Sequence, residues 1–183
     1  MLTNSSSQYG IISVSLHWLV ALSIYSLFAL GYWMVDLTYY SSWYRTAPYW
    51  HKSVGILLFG VVVFRLLWRC YTTTPSPVAS HSVIEKRLAK LTHNLLYLLM
   101  LLIMLSGYLI STADGRPISV FGWFNVPGFG EIFPQQADRA GLVHKYLAYF
   151  IIALSLLHAL AALKHHFIDK DFTLKRMFGR SAR

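Results

Sequence analysis

The 183-residue chain alternates long apolar runs with shorter polar or aromatic connectors. Four runs pass the length test for crossing a hydrocarbon core about 30 Å thick, which takes roughly 20 helical residues. They extend approximately from Val14 to Val35, Trp50 to Trp68, Thr92 to Ser111 and Val143 to Phe167. The connector DLTYYSSWYRTAP is aromatic, ends in proline and has room for an interfacial helix, while TTTPSPVASHS holds two prolines among small polar residues. The long segment from Thr112 to Leu142 is rich in Gly, Pro and aromatics. Such compositions predict loops. The expected fold is therefore all-α, a four-helix transmembrane bundle forming one integral-membrane domain over residues 1–183.

Composition agrees with that pattern. Hydrophobic residues make up 56% and charged residues 13%, with mean hydropathy +0.48. A soluble domain carries about 25% charged residues, so membrane lipid is the expected surrounding. The formal charge of +9 does not point to nucleic acid, because the basic residues sit at the ends of apolar runs, where they orient a membrane protein. The lone Cys70 has no partner for an internal disulfide or a thiolate cluster. The opening MLTNSSSQYG has no Lys or Arg and does not read as a cleaved signal peptide.

Direction follows from Lys and Arg. The side with the termini and the second connector holds Arg65, Arg69, Lys86, Arg87, Lys90, Lys164, Lys170, Lys175, Arg176, Arg180 and Arg183. The other side holds only Arg45, Lys52, Arg116, Arg139 and Lys145. This excess predicts that both termini are cytoplasmic. Trp43, Trp50, Trp123 and a group of tyrosines then populate the outer interface.

Eight histidines fall into this frame. His51 and His144 open the second and fourth spans at the outer level. His17 and His93 lie at the inner ends of the first and third, and His158 near the inner end of the fourth. His165 follows His158 on the same face, His166 is its neighbour, and His81 is expected in solvent. His144 and His158 are 14 residues apart, which on a helix is roughly 21 Å of rise and a return to within about 40° of the same direction. Ionisable residues at membrane depth mark functional sites.

Two histidines that far apart cannot share one zinc ion. A haem is wide and needs only axial ligands from opposite sides, so two haems stacked across the membrane use this spacing. With both axial positions filled by protein, each would carry electrons and not bind oxygen. The absence of a CxxCH stretch predicts non-covalent b-type haem. Arg65 lies 14 residues from His51 on the same face, and with Arg69 it is a candidate partner for haem propionates. Gly55, one turn from His51, is a place where a flat macrocycle can approach the backbone. Spacing alone does not decide whether His17 or His93 partners His158.

The stretches SLHWLVAL, YWHKSVGILLFGVVVFRLLWR, LTHNLLYLLMLLIMLSGYLIS and VHKYLAYFIIALSLLHALAALKHHFIDKDFTLKRM resemble the bacterial cytochrome b-561 family of small four-helix di-haem inner-membrane proteins. The resemblance covers roughly Tyr9 to Phe178. It implies two b-type haems, with His17 and His158 as inner ligands and His51 and His144 as outer ligands. It also implies that His93 and His165 lie near a cytoplasmic-side quinone site, and that ubiquinone is the electron acceptor. The best-known activity of the family is superoxide oxidase, in which superoxide gives electrons at the outer side and ubiquinone is reduced at the inner side. The alternative is a haem-bearing anchor subunit that passes electrons between quinone and a periplasmic dehydrogenase or hydrogenase. Both outer ligands are followed by lysine, in HKS and HKY. Lys52 and Lys145 are thus candidates for contacting the outer haem or attracting a small anionic donor.

Overall fold

The computed structural model describes residues 1–78 and 80–179. Arg180 and Arg183, counted above for orientation, lie outside the described residues. Four long helices dominate: α1 (Ile11–Met34), α2 (Thr46–Tyr71), α3 (Val83–Thr112) and α4 (Gln136–Phe167), followed by a short α5 (Thr173–Arg176). All four long helices have the length and composition to cross a membrane. Their large apolar side chains face outward, including Leu22, Phe150, Leu157 and Leu160. That is the arrangement expected where the solvent is lipid. The interior is narrow and built from Val20, Leu58, Val62, Leu99, Met100 and Ile151.

The bundle is two close pairs set against each other. α1 packs on α2 and α3 on α4, whereas contact between the pairs is sparser and runs mainly through α2 and α3. Each close pair is joined where a glycine of one helix faces an imidazole of the next, as described below.

Two helices run well past their apolar stretches. α3 begins at Val83, nine residues before the expected Thr92, because Ser82 and Glu85 form a reciprocal capping box that starts the helix in polar sequence. α4 begins at Gln136, inside the segment expected as loop. The fully buried Gln136 side chain donates to the carbonyls of Leu109 (2.9 Å) and Gly130 (3.4 Å) and accepts from Ile132 N–H (2.8 Å). It thereby fastens the start of α4 to the end of α3. Between them lies a β-hairpin, β1 (Ile118–Val120) paired antiparallel with β2 (Phe124–Val126). Its turn carries positive φ at both Phe121 (49°) and Gly122 (72°) and is closed by Trp123 N–H to Val120 C=O at 2.9 Å, as a type I′ turn requires. Buried Ser53 of α2 donates to the Ser119 carbonyl and accepts from Phe121 N–H, both at 3.3 Å, and Trp50 packs edge-on against Phe121. The hairpin is thus docked beside His51. In the first connector, residues 35–45 form turns and contain no separate interfacial helix.

At the other end, which bears the termini and is called inner below, Asn4 binds Thr72, Thr73, Gly10 and Ser13. The Trp18 indole donates to Met177 C=O at 2.8 Å. Both terminal segments are therefore packed onto the bundle.

Candidate haem sites

The outer pair is assembled from α2 and α4. The rings of His51 and His144 face one another with centroids 6.2 Å apart and planes 68° apart. Each is backed by a glycine from its neighbouring helix: a Cβ on Gly31 would lie 3.1 Å from His51 Cε1, and one on Gly107 would lie 3.1 Å from His144 Cε1. In both cases the ring edge near the glycine is Cε1–Nδ1, and Nε2 lies beyond 4 Å of the built atom. His144 Nδ1 is held by Ile103 C=O and by Ser106 Oγ, each at 3.0 Å. Donation from Nδ1–H to these oxygens leaves the Nε2 lone pair free, the tautomer a metal ligand needs. His51 Nδ1 is buried and has no hydrogen-bond partner among the described residues.

The inner histidines form a second group. His17 of α1 and His158 of α4 have ring centroids 6.3 Å apart, and His93 of α3 lies closer to His158, at 5.1 Å. Arg65 Nη2 donates to His17 Nδ1 at 2.9 Å. That contact puts the ring proton on Nε2, so ligation through Nε2 requires Arg65 to release the ring. The Arg65 and Arg69 guanidiniums both lie over the Tyr97 ring, at 5.4 and 5.3 Å. Arg65 is partly buried and Arg69 exposed.

These separations can be tested against a bis-imidazole metal. A metal–nitrogen bond of about 2 Å, with about 1.1 Å from nitrogen to ring centre on each side, gives roughly 6.3 Å between centroids. The His51–His144 and His17–His158 pairs match that figure. The His93–His158 pair is too close by about 1 Å on the same reckoning. The residues present fit axial ligation of haem at two levels. Gly55, singled out for close approach of a macrocycle, faces open space: a Cβ there meets nothing within 4 Å.

Other predicted residues scatter more widely. Lys52 is half-buried and Lys145 exposed, and neither makes an ion pair among the described residues. His165 does not share the surroundings of His93. Its Nδ1 binds Asp169 Oδ2 at 2.6 Å, and its ring stacks on His81 with centroids 4.2 Å apart. His81, expected in solvent, is instead mostly buried and bonded to Asp171 at 2.6 Å. The connector folds back under α4, and a buried carboxylate needs a partner there. Burial pushes the Asp171 carboxyl up, but hydrogen bonds from Thr173 N–H and His81 outweigh it and hold the group below its ordinary value.

Sequence reasoning did not find Gly31, Gly107, Ser106 or the Ile103 carbonyl. The usable signal was a glycine or serine inside an apolar run, which is equally consistent with plain helix packing.

Comparison with known proteins identifies the family. A family model described as prokaryotic cytochrome b561 matches residues 8–180. The chain is 53% identical to cytochrome b561 homolog 2 of Escherichia coli (strain K12) over 180 residues, covering 98% of this chain and 96% of that protein. It is 31% identical to the probable superoxide oxidase CybB of Yersinia pestis, covering 93% of this chain and 95% of that protein. Cytochrome b561 homolog 1 of Escherichia coli (strain K12) is also 31% identical, over 95% of this chain and 98% of its own length. A four-helix apolar bundle with facing imidazole pairs and full-length matches to these proteins leads to one assignment: this chain is a bacterial membrane cytochrome belonging to the prokaryotic cytochrome b561 family.

Proposed function

We propose that this cytochrome accepts electrons from superoxide at its outer side and delivers them to ubiquinone at its inner side. The observation that carries the reading is the pair of matched imidazole separations, 6.2 and 6.3 Å, at two depths of one bundle. His51 with His144 would hold one b-type haem and His17 with His158 a second. Bound there, haem would supply reversible one-electron transfer. The protein's own part is to fix the ligands and shape access to them. Ser106 and Ile103 orient His144. Arg65, once released from His17, carries a guanidinium suited to a propionate. His93, beside His158, offers an imidazole for hydrogen bonding to a quinone carbonyl, and His165 is the second candidate for that site.

The likeness to a probable superoxide oxidase supports the choice of donor. So does the placement of Lys52 and Lys145 directly after the outer histidines. Arg116 is paired with Asp114 at 3.1 Å, and of the remaining outer cations those lysines directly follow the outer histidines in sequence, where they would attract a small anion locally. A second reading, an anchor for a periplasmic redox protein, draws on the exposed outer aromatics Trp123, Phe129 and Tyr40. The excess of Lys and Arg beside the termini supports an inner-membrane orientation with both termini cytoplasmic.

The test is purification without a partner, haem quantification with a reduced-minus-oxidised spectrum, then mixing with superoxide and a soluble ubiquinone analogue. Two low-spin haems per chain, reduced by superoxide and reoxidised by quinone, are expected. A single haem would refute the ligand assignment. Two haems reduced no faster than superoxide dismutes spontaneously would refute the donor and favour the anchor reading.

A further inference from the structure

Beneath the inner end of α4, the connector before α3 meets the last turn of α4 and the stretch that follows it. His81 comes from the connector before α3, His165 from the last turn of α4, and Asp169 and Asp171 from the stretch before α5. The two imidazoles are stacked 29° from parallel. His81 Nε2 lies 2.6 Å from Asp171 Oδ2, and His165 Nδ1 lies 3.7 Å from the same oxygen and 2.6 Å from Asp169 Oδ2. The ligand atoms of His81, His165 and Asp171 lie within 4.8 Å of one another, as do those of Glu85, His165 and Asp169.

We propose that His81, His165 and Asp171 form a binding site for a first-row divalent cation of the zinc type, with Asp169 beside His165 at its edge. The argument rests on convergence. One carboxylate per histidine satisfies each ring as a hydrogen-bond pair. The 3.7 Å approach of His165 to Asp171 is too long for a hydrogen bond, yet it brings the His165 ring to the carboxylate that His81 already binds. Two imidazole nitrogens and one carboxylate, with water in the fourth position, are a ligand set that zinc takes, with bonds of about 2.0–2.2 Å, so its ligands sit roughly 3.3–3.5 Å from one another. The observed separations of 2.6 and 3.7 Å bracket that value, and shifts below about 1 Å reach it.

The supporting groups are in place. Thr173 N–H donates to Asp171 Oδ1 at 2.7 Å, fixing that carboxylate with Oδ2 toward the histidines. Lys164 Nζ bonds Asp169 Oδ2 at 2.7 Å and Glu85 Oε1 at 3.1 Å, tying α3 and α4 at the rim. Such outer partners orient ligands and tune their affinity. The bound ion would clamp the connector, α4 and the C-terminal stretch together. It would also occupy His165 Nδ1, so an ion and a quinone hydrogen bond at that nitrogen exclude each other.

The test uses haem-loaded protein in detergent, so the axial histidines are already engaged. After stripping with a chelator and desalting, the protein is titrated with Zn2+ against a chromophoric competitor, with no quinone present. One Zn2+ per chain is expected. His81→Ala and Asp171→Asn should each weaken it by at least about tenfold, with the haem spectrum unchanged. X-ray absorption at the zinc edge of the wild-type protein should show two imidazoles and oxygen ligands. Failure of the wild type to retain an equivalent of zinc overturns the proposal. So does equal uptake by the double variant His81→Ala/Asp171→Asn. If a variant loses haem through misfolding, the zinc-edge spectrum decides, and a spectrum without paired imidazoles overturns the site. None of these outcomes depends on the quinone or superoxide assignment.

Discussion

Replacing Gly107 with Ala tests whether the glycine behind His144 exists to make room for that ring. The added Cβ would sit 3.1 Å from His144 Cε1 and 3.4 Å from Nδ1. Carbon atoms are most comfortable about 3.5–4.0 Å apart, so the ring must retreat by roughly half an ångström. Its Nδ1 is already at 3.0 Å from both Ile103 C=O and Ser106 Oγ. A retreat of that size stretches both contacts toward roughly 3.5 Å, where little hydrogen bond remains. Overpacking of this kind costs about 1–3 kcal/mol. At about 1.4 kcal/mol per factor of ten, this is roughly a 5- to 150-fold loss of haem affinity at the outer level. The assay is haem transfer from the purified protein to a haem acceptor, read alongside the haem-to-protein ratio. Gly60→Ala is the control, because its new Cβ meets nothing within 4 Å and alanine is otherwise the better helix former, by about 0.5–1 kcal/mol. The outer haem should be lost faster from Gly107→Ala alone, with the inner haem retained. Wild-type release in Gly107→Ala, or equal release in both variants, would refute the reasoning.

Gly31→Ala should act on the same haem through His51, by a similar factor, since its Cβ would also lie 3.1 Å from the ring. Arg65→Gln should reduce retention of the inner haem while leaving the outer one in place, as measured by the haem-to-protein ratio; an unchanged ratio would leave Arg65 as a surface-seeking cation only. Gln136→Leu strips partners from the Leu109 carbonyl and the Ile132 N–H and should cost about 1–3 kcal/mol, seen as a lower melting temperature in detergent. Lys52→Gln with Lys145→Gln should slow reduction by superoxide and flatten its salt dependence, because the Debye length falls from about 10 Å at 0.1 M to about 3 Å at 1 M; a rate indifferent to salt and to both lysines would remove them from donor capture. His93→Leu should slow oxidation of the reduced protein by quinone without loss of haem, and loss of a haem instead would identify His93 as a ligand.

The sequence by itself determined the four helices and the two levels of histidine. Hydrocarbon thickness sets the length of an apolar run, and the helical repeat sets the direction of His144 relative to His158. Both are local quantities, so counting along the chain suffices. Helix ends were less legible: the capping box at Ser82 and the burial of Gln136 extend α3 and α4 beyond their apolar stretches, and only the second depends on distant carbonyls. The docked hairpin was hidden in a segment whose glycines and aromatics read as loop, because its strands are three residues long and are held by Ser53 of another element. Only the tertiary structure shows that His17 and His93, at nearly the same depth, both lie beside His158 at different ring separations. It alone revealed Gly31 and Gly107 as backings for histidine rings, Arg65 against His17, and His81 drawn out of solvent to Asp171. Those arrangements join residues from 20 (Gly31 and His51) to 141 (His17 and His158) positions apart. Their energy comes from desolvated polar groups finding partners across helices, a pairing that no periodicity along the chain encodes.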